Sequence, residues 1–380
     1  MPSAWSLYIS DGTIGQGGWH LSSIDKLSLR DSPGIDLRGF GHPIASADGS
    51  TLAWIDNDHL QDGKAHVIDP TTGRDRAAFG GLAMHGLASL TPDGSGVLVL
   101  NQAGWGWELV RAGNGRVVAD MNWKDPCCGP YLFWLSPDGR YMYRVLTALS
   151  GSPQPAGPTT PVLVRYDLQA GREASRLRLT GVVAGIWPRE GSASAHMSLQ
   201  LIPGVALSPD GRTLAIVHAD SERLSLVDLE RWQMASTRPL TRASSFWDRL
   251  SLRAVTDVQA KEVEGPEWEA FFLPDGQTLV AWGRSMSGGS PATVRGLGIR
   301  TIDVRSAGIR MEVPGGDDQL TQVVPAPDGS AIYAITEADQ PTAPADDRLV
   351  VLRRLDPRTL AVTAARTFRG RRTLIALASA

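Results

Sequence analysis

The sequence predicts an all-β fold, a seven-bladed β-propeller with four antiparallel strands per blade, on three observations. A short turn phrase recurs six times, an apolar strand ending in Asp follows five of the copies, and the two ends of the chain read as parts of one further unit. The composition agrees, because 41 Gly and 25 Pro in 380 residues are the punctuation of many short strands rather than of a few long helices.

The turn phrase reads Ala47-Asp48-Gly49, Pro92-Asp93-Gly94, Pro137-Asp138-Gly139, Pro209-Asp210-Gly211, Pro274-Asp275-Gly276 and Pro327-Asp328-Gly329. Each copy lies between two short apolar runs, such as Val205-Ala206-Leu207 before and Leu214-Ala215-Ile216-Val217 after. That pattern is a β-hairpin: Pro presets φ, Asp bonds forward to the backbone, and Gly takes the positive φ that closes the turn. The second signature is an apolar strand, Asp and a short turn. It appears as Val67-Ile68-Asp69 with Gly73, Tyr166-Asp167 with Gly171, and Ile302-Asp303 with Gly308; Val227-Asp228 and Leu355-Asp356 match without the Gly. Together the two signatures make a four-strand meander, A-B-C-D, the blade of a propeller.

At the chain ends, Leu374 to Ala380 reads as a strand A with no turn after it. Trp5 to Ile9 then reads as strand B, Trp19 to Asp25 as C, and Lys26 to Arg30 as D. One domain over 1–380 follows, with blades at 42–80, 85–121, 131–179, 202–239, 268–313 and 320–368, and a last one from 372–380 plus 5–31. The ring is closed by the N-terminal strands (5–30) pairing with the C-terminal strand A (372–379).

These phrases resemble the bacterial YVTN and WD40-like β-propeller repeats over essentially the whole chain, although the Ala47 copy lacks Pro and the Gly-His and Trp-Asp dipeptides of eukaryotic WD40 blades are absent. The resemblance implies the fold. For function it spans binding modules, cell-surface proteins, propeller subunits of periplasmic redox enzymes and lactonases.

In such a meander the A-B and C-D turns share one face, and here they are tight. Residues are added on the other face, in B-C loops at 10–18, 56–64, 101–107, 147–161, 283–295 and 337–347 and in D-A loops at 180–202 and 241–267. Long loops on a rigid scaffold are where binding residues gather. At the mouth of the central channel on that face the reading places His42, His85, Tyr131, Glu267, Trp268, Glu269, Asp317, Asp318, Arg371 and Arg372. Trp105 and Trp107 are placed at its rim as stacking surfaces. Most other Trp, including Trp54, Trp134 and Trp282, are expected in packing.

Sequence support for familiar chemistry is lacking. His-Glu-x-x-His, Cys-x-x-Cys-His, the P-loop and Gly-x-Ser-x-Gly do not occur, and Asp56 to Gly63 fails as a calcium loop because Leu60 sits at the third ligand position. No cofactor and no metal are expected. Cys127 and Cys128 are adjacent, either two buried thiols or a vicinal disulfide. A formal charge of −3 gives no electropositive field for nucleic acid. No secretory signal and no apolar run long enough for a membrane span occurs. Eight Arg between Arg348 and Arg372 read as a solvated outer edge, or as a docking side for an anionic partner. The expectation is a non-catalytic module that binds a protein or small ligand on the long-loop face and works outside the cytoplasm or at the cell surface, with a cytoplasmic scaffold as the alternative location. The alternative function is an enzyme, a lactonase-like hydrolase or the propeller subunit of a periplasmic dehydrogenase, with His42, His85, Glu267 and Glu269 around the axis.

Overall fold

The computed structural model describes residues 5–12, 19–37, 44–46, 51–56, 64–69, 72–79, 84–91, 93–101, 106–122, 133–146, 158–188, 198–242, 263–287, 293–316, 318–338, 349–370 and 374–378. In chain order the strands are β1 (Trp5–Gly12), β2 (Trp19–Ile24), β3 (Asp31–Leu37), β4 (Ile44–Ala45), β5 (Leu52–Asp56), β6 (Lys64–Ile68), β7 (Asp75–Phe79), β8 (Met84–Leu90), β9 (Gly96–Asn101), β10 (Gly106–Arg111) and β11 (Val117–Asn122). They continue as β12 (Phe133–Leu135), β13 (Tyr141–Leu146), β14 (Val162–Asp167), β15 (Arg172–Arg178), β16 (Gly185–Pro188), β17 (Ser198–Leu201), β18 (Gly204–Leu207), β19 (Thr213–Val217), β20 (Arg223–Asp228) and β21 (Gln233–Pro239). The last are β22 (Thr241–Arg242), β23 (Val263–Phe272), β24 (Thr278–Ser287), β25 (Thr293–Asp303), β26 (Gly308–Pro314), β27 (Asp318–Pro325), β28 (Ile332–Ala338), β29 (Leu349–Leu355), β30 (Val362–Arg369) and β31 (Leu374–Ala378).

The architecture is an all-β propeller. The expectation of a seven-bladed propeller with four antiparallel strands per blade is corrected, because among the described residues the four-stranded antiparallel blade occurs six times, not seven. The sheet of β23 to β26 has five strands, since β22 adds to its outer edge in parallel, Thr241 opposite Gly308 and Arg242 opposite Ile309. Arg242 locks that addition through two bonds to Glu312, at 2.9 and 3.3 Å. A separate two-stranded sheet, β16 with β17, fills the connection from β15 to β18. Both departures sit in segments read from the sequence as D-A loops.

The two ends of the chain meet in one sheet, where Leu374 to Ala378 pair with Ile9 to Trp5. The outer strand of that sheet was misplaced: Lys26 to Arg30 is a turn, and the strand is Asp31–Leu37. The cause is an Asp turn without glycine. Asp25 accepts the Leu27 and Ser28 N–H groups, and Leu29 takes φ +57° in the position Gly73 and Gly171 hold elsewhere. Trp232, Ala307 and Leu360 do the same at their turns, so the Gly of the second signature is dispensable there. Likewise, 283–295 is mostly strand, with only 288–292 left between β24 and β25.

The Pro-Asp-Gly turns are built as the residues require. Gly94, Gly139, Gly211, Gly276 and Gly329 all have positive φ, and each Asp accepts the N–H two residues on, as in Asp210 with Arg212 at 3.1 Å. A second constraint also selects glycine: a Cβ on Gly211 would lie 2.5 Å from Pro137 Cδ, because the turn of one sheet rests on the Pro of the preceding turn.

The core lies between sheets. Leu214, Ile216 and Val227 pack with Tyr143, Val145 and Leu163, and Val280, Trp282 and Ile299 pack with Val323, Ile332 and Leu355. Apolar area buried between blades, at roughly 25 cal/mol per Å², is the main force holding such a ring. Inner strands of neighbouring sheets touch, β4 with β8, β18 with β23, β27 with β31 and β31 with β4.

Candidate functional site

Strand β23 positions the site. It runs from Val263 to the Pro274-Asp275-Gly276 turn, so its first half lies at the end of the sheet opposite the tight turns. Alternation divides its side chains between the two neighbouring sheets. Trp268 faces the sheet of β18 to β21, where it packs with Ala206, Val217 and Leu224. Glu267, Glu269 and Phe271 point to the other side, toward β27 and β28.

Two glycines fit Trp268 into its place. A Cβ on Gly283 would meet the indole at 2.9 Å, and one on Gly204 would meet Trp268 Cβ at 3.1 Å. Arg300, itself buried, lays its guanidinium 4.0 Å from the Trp268 ring centroid and donates to Glu222 of the neighbouring sheet at 2.6 Å. Trp268 N–H also bonds Ile202 O at 2.9 Å, and Ile202 N–H bonds Pro266 O at 3.1 Å. The inner strand is thereby pinned on one flank, which fixes the residues on the other.

On that other flank Arg284, opposite Glu267 across the ladder, donates Nε–H to Glu267 Oε2 at 2.8 Å. Burial works against the Arg284 charge, but the Glu267 bond and the fields of Glu267, Glu269 and Glu337 hold its pKa above the usual value. Glu337 comes from the neighbouring strand β28. Glu267 alone of the three bonds the arginine; Glu269 and Glu337 act on it through their fields. Glu269 makes no hydrogen bond among the described residues. Its residue is exposed, yet the protein packed around it withdraws part of its solvent, with Glu267 adding repulsion and Arg284 offsetting part, and its pKa rises from 4.5 to about 7. Its cross-strand partner Trp282 is 5% exposed and has a buried indole N–H with no acceptor among the described residues. The arrangement can hold or release a proton near neutral pH, accept bonds from a ligand, and attract positive charge.

The structure therefore brings Glu267 and Glu269 together, with Trp268 between them in the packing rather than at a surface. His42, Tyr131, Trp105, Arg371, Arg372 and Asp317 lie outside the described residues, as do Cys127 and Cys128. For His85 in β8, Trp107 in β10 and Asp318 in β27 only the strand position is described. Trp54 and Trp282 are buried, and Trp134 packs against the core. Arg284 and Glu337 were missed because 283–295 and 337–347 read as loops. The available signal was strand alternation: Arg284 stands two residues beyond Trp282, on the same face.

A Ser-His-Asp constellation that the sequence did not mark also forms. His218 Nε2 lies 2.8 Å from Ser225 Oγ, and His218 Nδ1 lies 3.6 Å from Asp220. Ser225 is 0% exposed and shares its hydroxyl with Thr237 at 2.8 Å, so it is sealed from substrate. Burial lowers the His218 pKa, keeping the ring neutral. The set is a polar ladder across β19, β20 and β21, not a nucleophile.

Two described cavities, of about 370 and about 320 Å³, lie between blades on the tight-turn face. Their Asp93, Asp138, Asp275 and Asp328 carboxylates are already bonded by turn N–H groups. No group of His, Cys, Asp and Glu suited to a metal ion occurs among the described residues. Nor is any helix there long and apolar enough to cross a membrane.

No family model matches the chain, and no curated protein matches it. Among solved structures it is similar to the periplasmic gluconolactonase PpgL of Pseudomonas aeruginosa, with 16% identity, TM-score 0.57, and coverage of 98% of this chain and 99% of that one. It is also similar to the β-propeller domain of Myceliophteria thermophila Cps50 (Swd1), with 13% identity, TM-score 0.48 and 87% of each chain covered. Kuenenia stuttgartiensis hydrazine synthase matches at 18% identity and TM-score 0.42 over 70% of this chain, which spans 64% of that chain's length. The likeness to the gluconolactonase bears on the propeller fold alone.

Proposed function

We propose that the protein is a ligand-binding propeller that takes a small polar molecule against inner strand β23, beside Glu267 and Glu269. The observation that carries this reading is Glu269: an exposed carboxylate that makes no hydrogen bond among the described residues and whose pKa the surrounding protein nonetheless raises to about 7. Its acceptor positions, on an inner strand of the ring, are available to a donor from a ligand. The repeat phrases support the YVTN and WD40-like kinship, whose members include binding modules. The test is a thermal-shift screen of the purified protein against sugars, organic amines and hydroxy acids. A ligand that raises Tm in the wild type and not in Glu269→Ala supports the reading. A blank screen, or stabilisation that ignores the substitution, overturns it.

A second reading, a lactonase-like hydrolase, is favoured by one feature. A carboxyl with pKa about 7 is suited to general acid–base work. The full-length likeness to a gluconolactonase makes glucono-δ-lactone the first substrate to try. Acid release in a pH-stat, lost in Glu269→Gln, supports hydrolysis; no release above the uncatalysed rate excludes that substrate.

A further inference from the structure

On the tight-turn face, the cavity of about 320 Å³ between the sheet of β23 to β26 and the sheet of β27 to β30 is lined by acceptors that are already bonded and by donors that are not. We infer that it is a second binding site, for a small organic carboxylate held by Arg310 and Arg358 with the Thr301 hydroxyl as a further donor. Glu269 is not in its lining, so the two sites stand or fall separately.

Arg310 is the extra residue of a bulge in β26, opposite Thr301 and Ile302 of β25, and such a bulge re-aims a side chain. Its guanidinium donates to Thr278 Oγ1 at 3.1 Å and to Asp303, bonds that anchor it yet leave Nε–H and one N–H on each terminal nitrogen. Arg358, on the turn from β29 to β30, is exposed. Its backbone N–H bonds Asp356 at 2.9 Å, while its guanidinium makes no hydrogen bond among the described residues and meets Asp356 only through its field. The carboxylates of the lining are engaged. Asp275 accepts the Gln277 and Thr278 N–H groups at Oδ1 and the Thr278 hydroxyl at Oδ2. Asp328 accepts the Ser330 N–H at Oδ1 and the Trp5 indole of β1 at Oδ2.

Thr301 is an independent observation. It is 1% exposed, it lines the cavity, and its hydroxyl has no partner among the described residues, a state that buried polar groups rarely keep. In the cavity of about 370 Å³ the corresponding residue, before the same bulge in its own sheet, is the apolar Leu109. Arginine reads a carboxylate through paired N–H···O bonds, which match the donors left on Arg310 and Arg358. Leu273, Pro274 and Pro357 offer an apolar wall to a carbon skeleton, which an inorganic oxyanion lacks. The volume lies at the low end for ligand pockets, so the skeleton is short.

The experiment is titration calorimetry in Tris-chloride with lactate, succinate and gluconate, with lactamide, succinamide and glucose as their uncharged counterparts, and with inorganic phosphate. The expected result is that a carboxylate binds, more weakly as salt is added, and about tenfold or more tighter than its counterpart and than phosphate. Arg358→Ala, a change at an exposed residue that leaves the fold intact, weakens it by about tenfold. Thr301→Val keeps the side-chain shape without the hydroxyl; free, it melts no lower than the wild type, and it gains less from the carboxylate. Glu269→Ala binds as the wild type does. The inference is overturned if no carboxylate binds, if a counterpart or phosphate binds as tightly, or if neither Arg358→Ala nor Thr301→Val weakens binding. Loss of binding in Glu269→Ala alone also overturns it, since the carboxylate then sits at β23.

Discussion

Trp5 donates its indole N–H to the Asp328 carboxylate at 2.9 Å, joining residues 323 positions apart and tying the first strand to the turn of the neighbouring sheet. The Trp5 ring meets Tyr333 edge-on at 5.8 Å, and Tyr333 OH in turn donates to Lys26 O at 2.9 Å. This contact supplements the β1–β31 ladder where the ring closes. Trp5→Phe keeps most of the apolar contact and removes the bond to a charged group. The expected cost is about 1.5–3 kcal/mol. Urea unfolding checks it, as a lower midpoint with an unchanged slope.

Gly211 combines φ +71° with a Pro137 atom 2.5 Å from where a Cβ would be. Gly211→Ala therefore strains the backbone and pushes one sheet's turn off another's, and a loss of about 1–3 kcal/mol is expected. Gly113 has nothing within 4 Å of a built Cβ, and Gly113→Ala serves as the control that stays near the wild type. Equal losses at both positions contradict the packing argument.

The propeller was legible because its turns are written in residue types with a backbone reason, Asp to bond forward and Gly for positive φ. The regular count was not. Nothing in Thr241-Arg242 announces a parallel strand, since two residues carry no periodicity and their pairing depends on Arg242 finding Glu312 seventy positions away. The Lys26 to Arg30 error has a similar root: Leu29 adopts a glycine-like φ because its side chain is fully buried, and burial outweighs local preference. For the site, Glu267 and Glu269 could be placed from their approach to a Pro-Asp-Gly turn. Arg284 and Glu337 could not, because strands β24 and β28 run further than the Gly- and Pro-rich sequence around them suggests.

Asp303 has its pKa lowered to about 2, first by its bond from Arg310 and then by the Ser306 N–H. A carboxyl held below its unfolded value of 3.8 adds stability that is present above that pH and lost as pH falls toward 2. Asp303→Asn is expected to lower stability at pH 7 by about 1 kcal/mol, because solvent around the exposed Arg310 screens the pair, with a smaller deficit at pH 2.5. Unfolding midpoints at the two pH values check this, and a deficit that does not change with pH speaks against the ion pair as its source.

For Glu269 the sign reverses. Its pKa is raised from 4.5 to about 7, by burial first and by Glu267 second, so the folded protein holds a proton that the unfolded chain has released across that interval. Its contribution is complete below pH 4.5 and declines as pH rises through 7. Glu269→Gln cannot ionise, and it keeps the shape of the protonated acid. The variant is expected to match the wild type at pH 4.5 and to unfold at a higher temperature at pH 8, with the gap opening between those values. Parallel melting curves across the range measure it. A constant gap, or one that opens toward acid, would mean that Glu269 is solvated like an ordinary surface carboxylate.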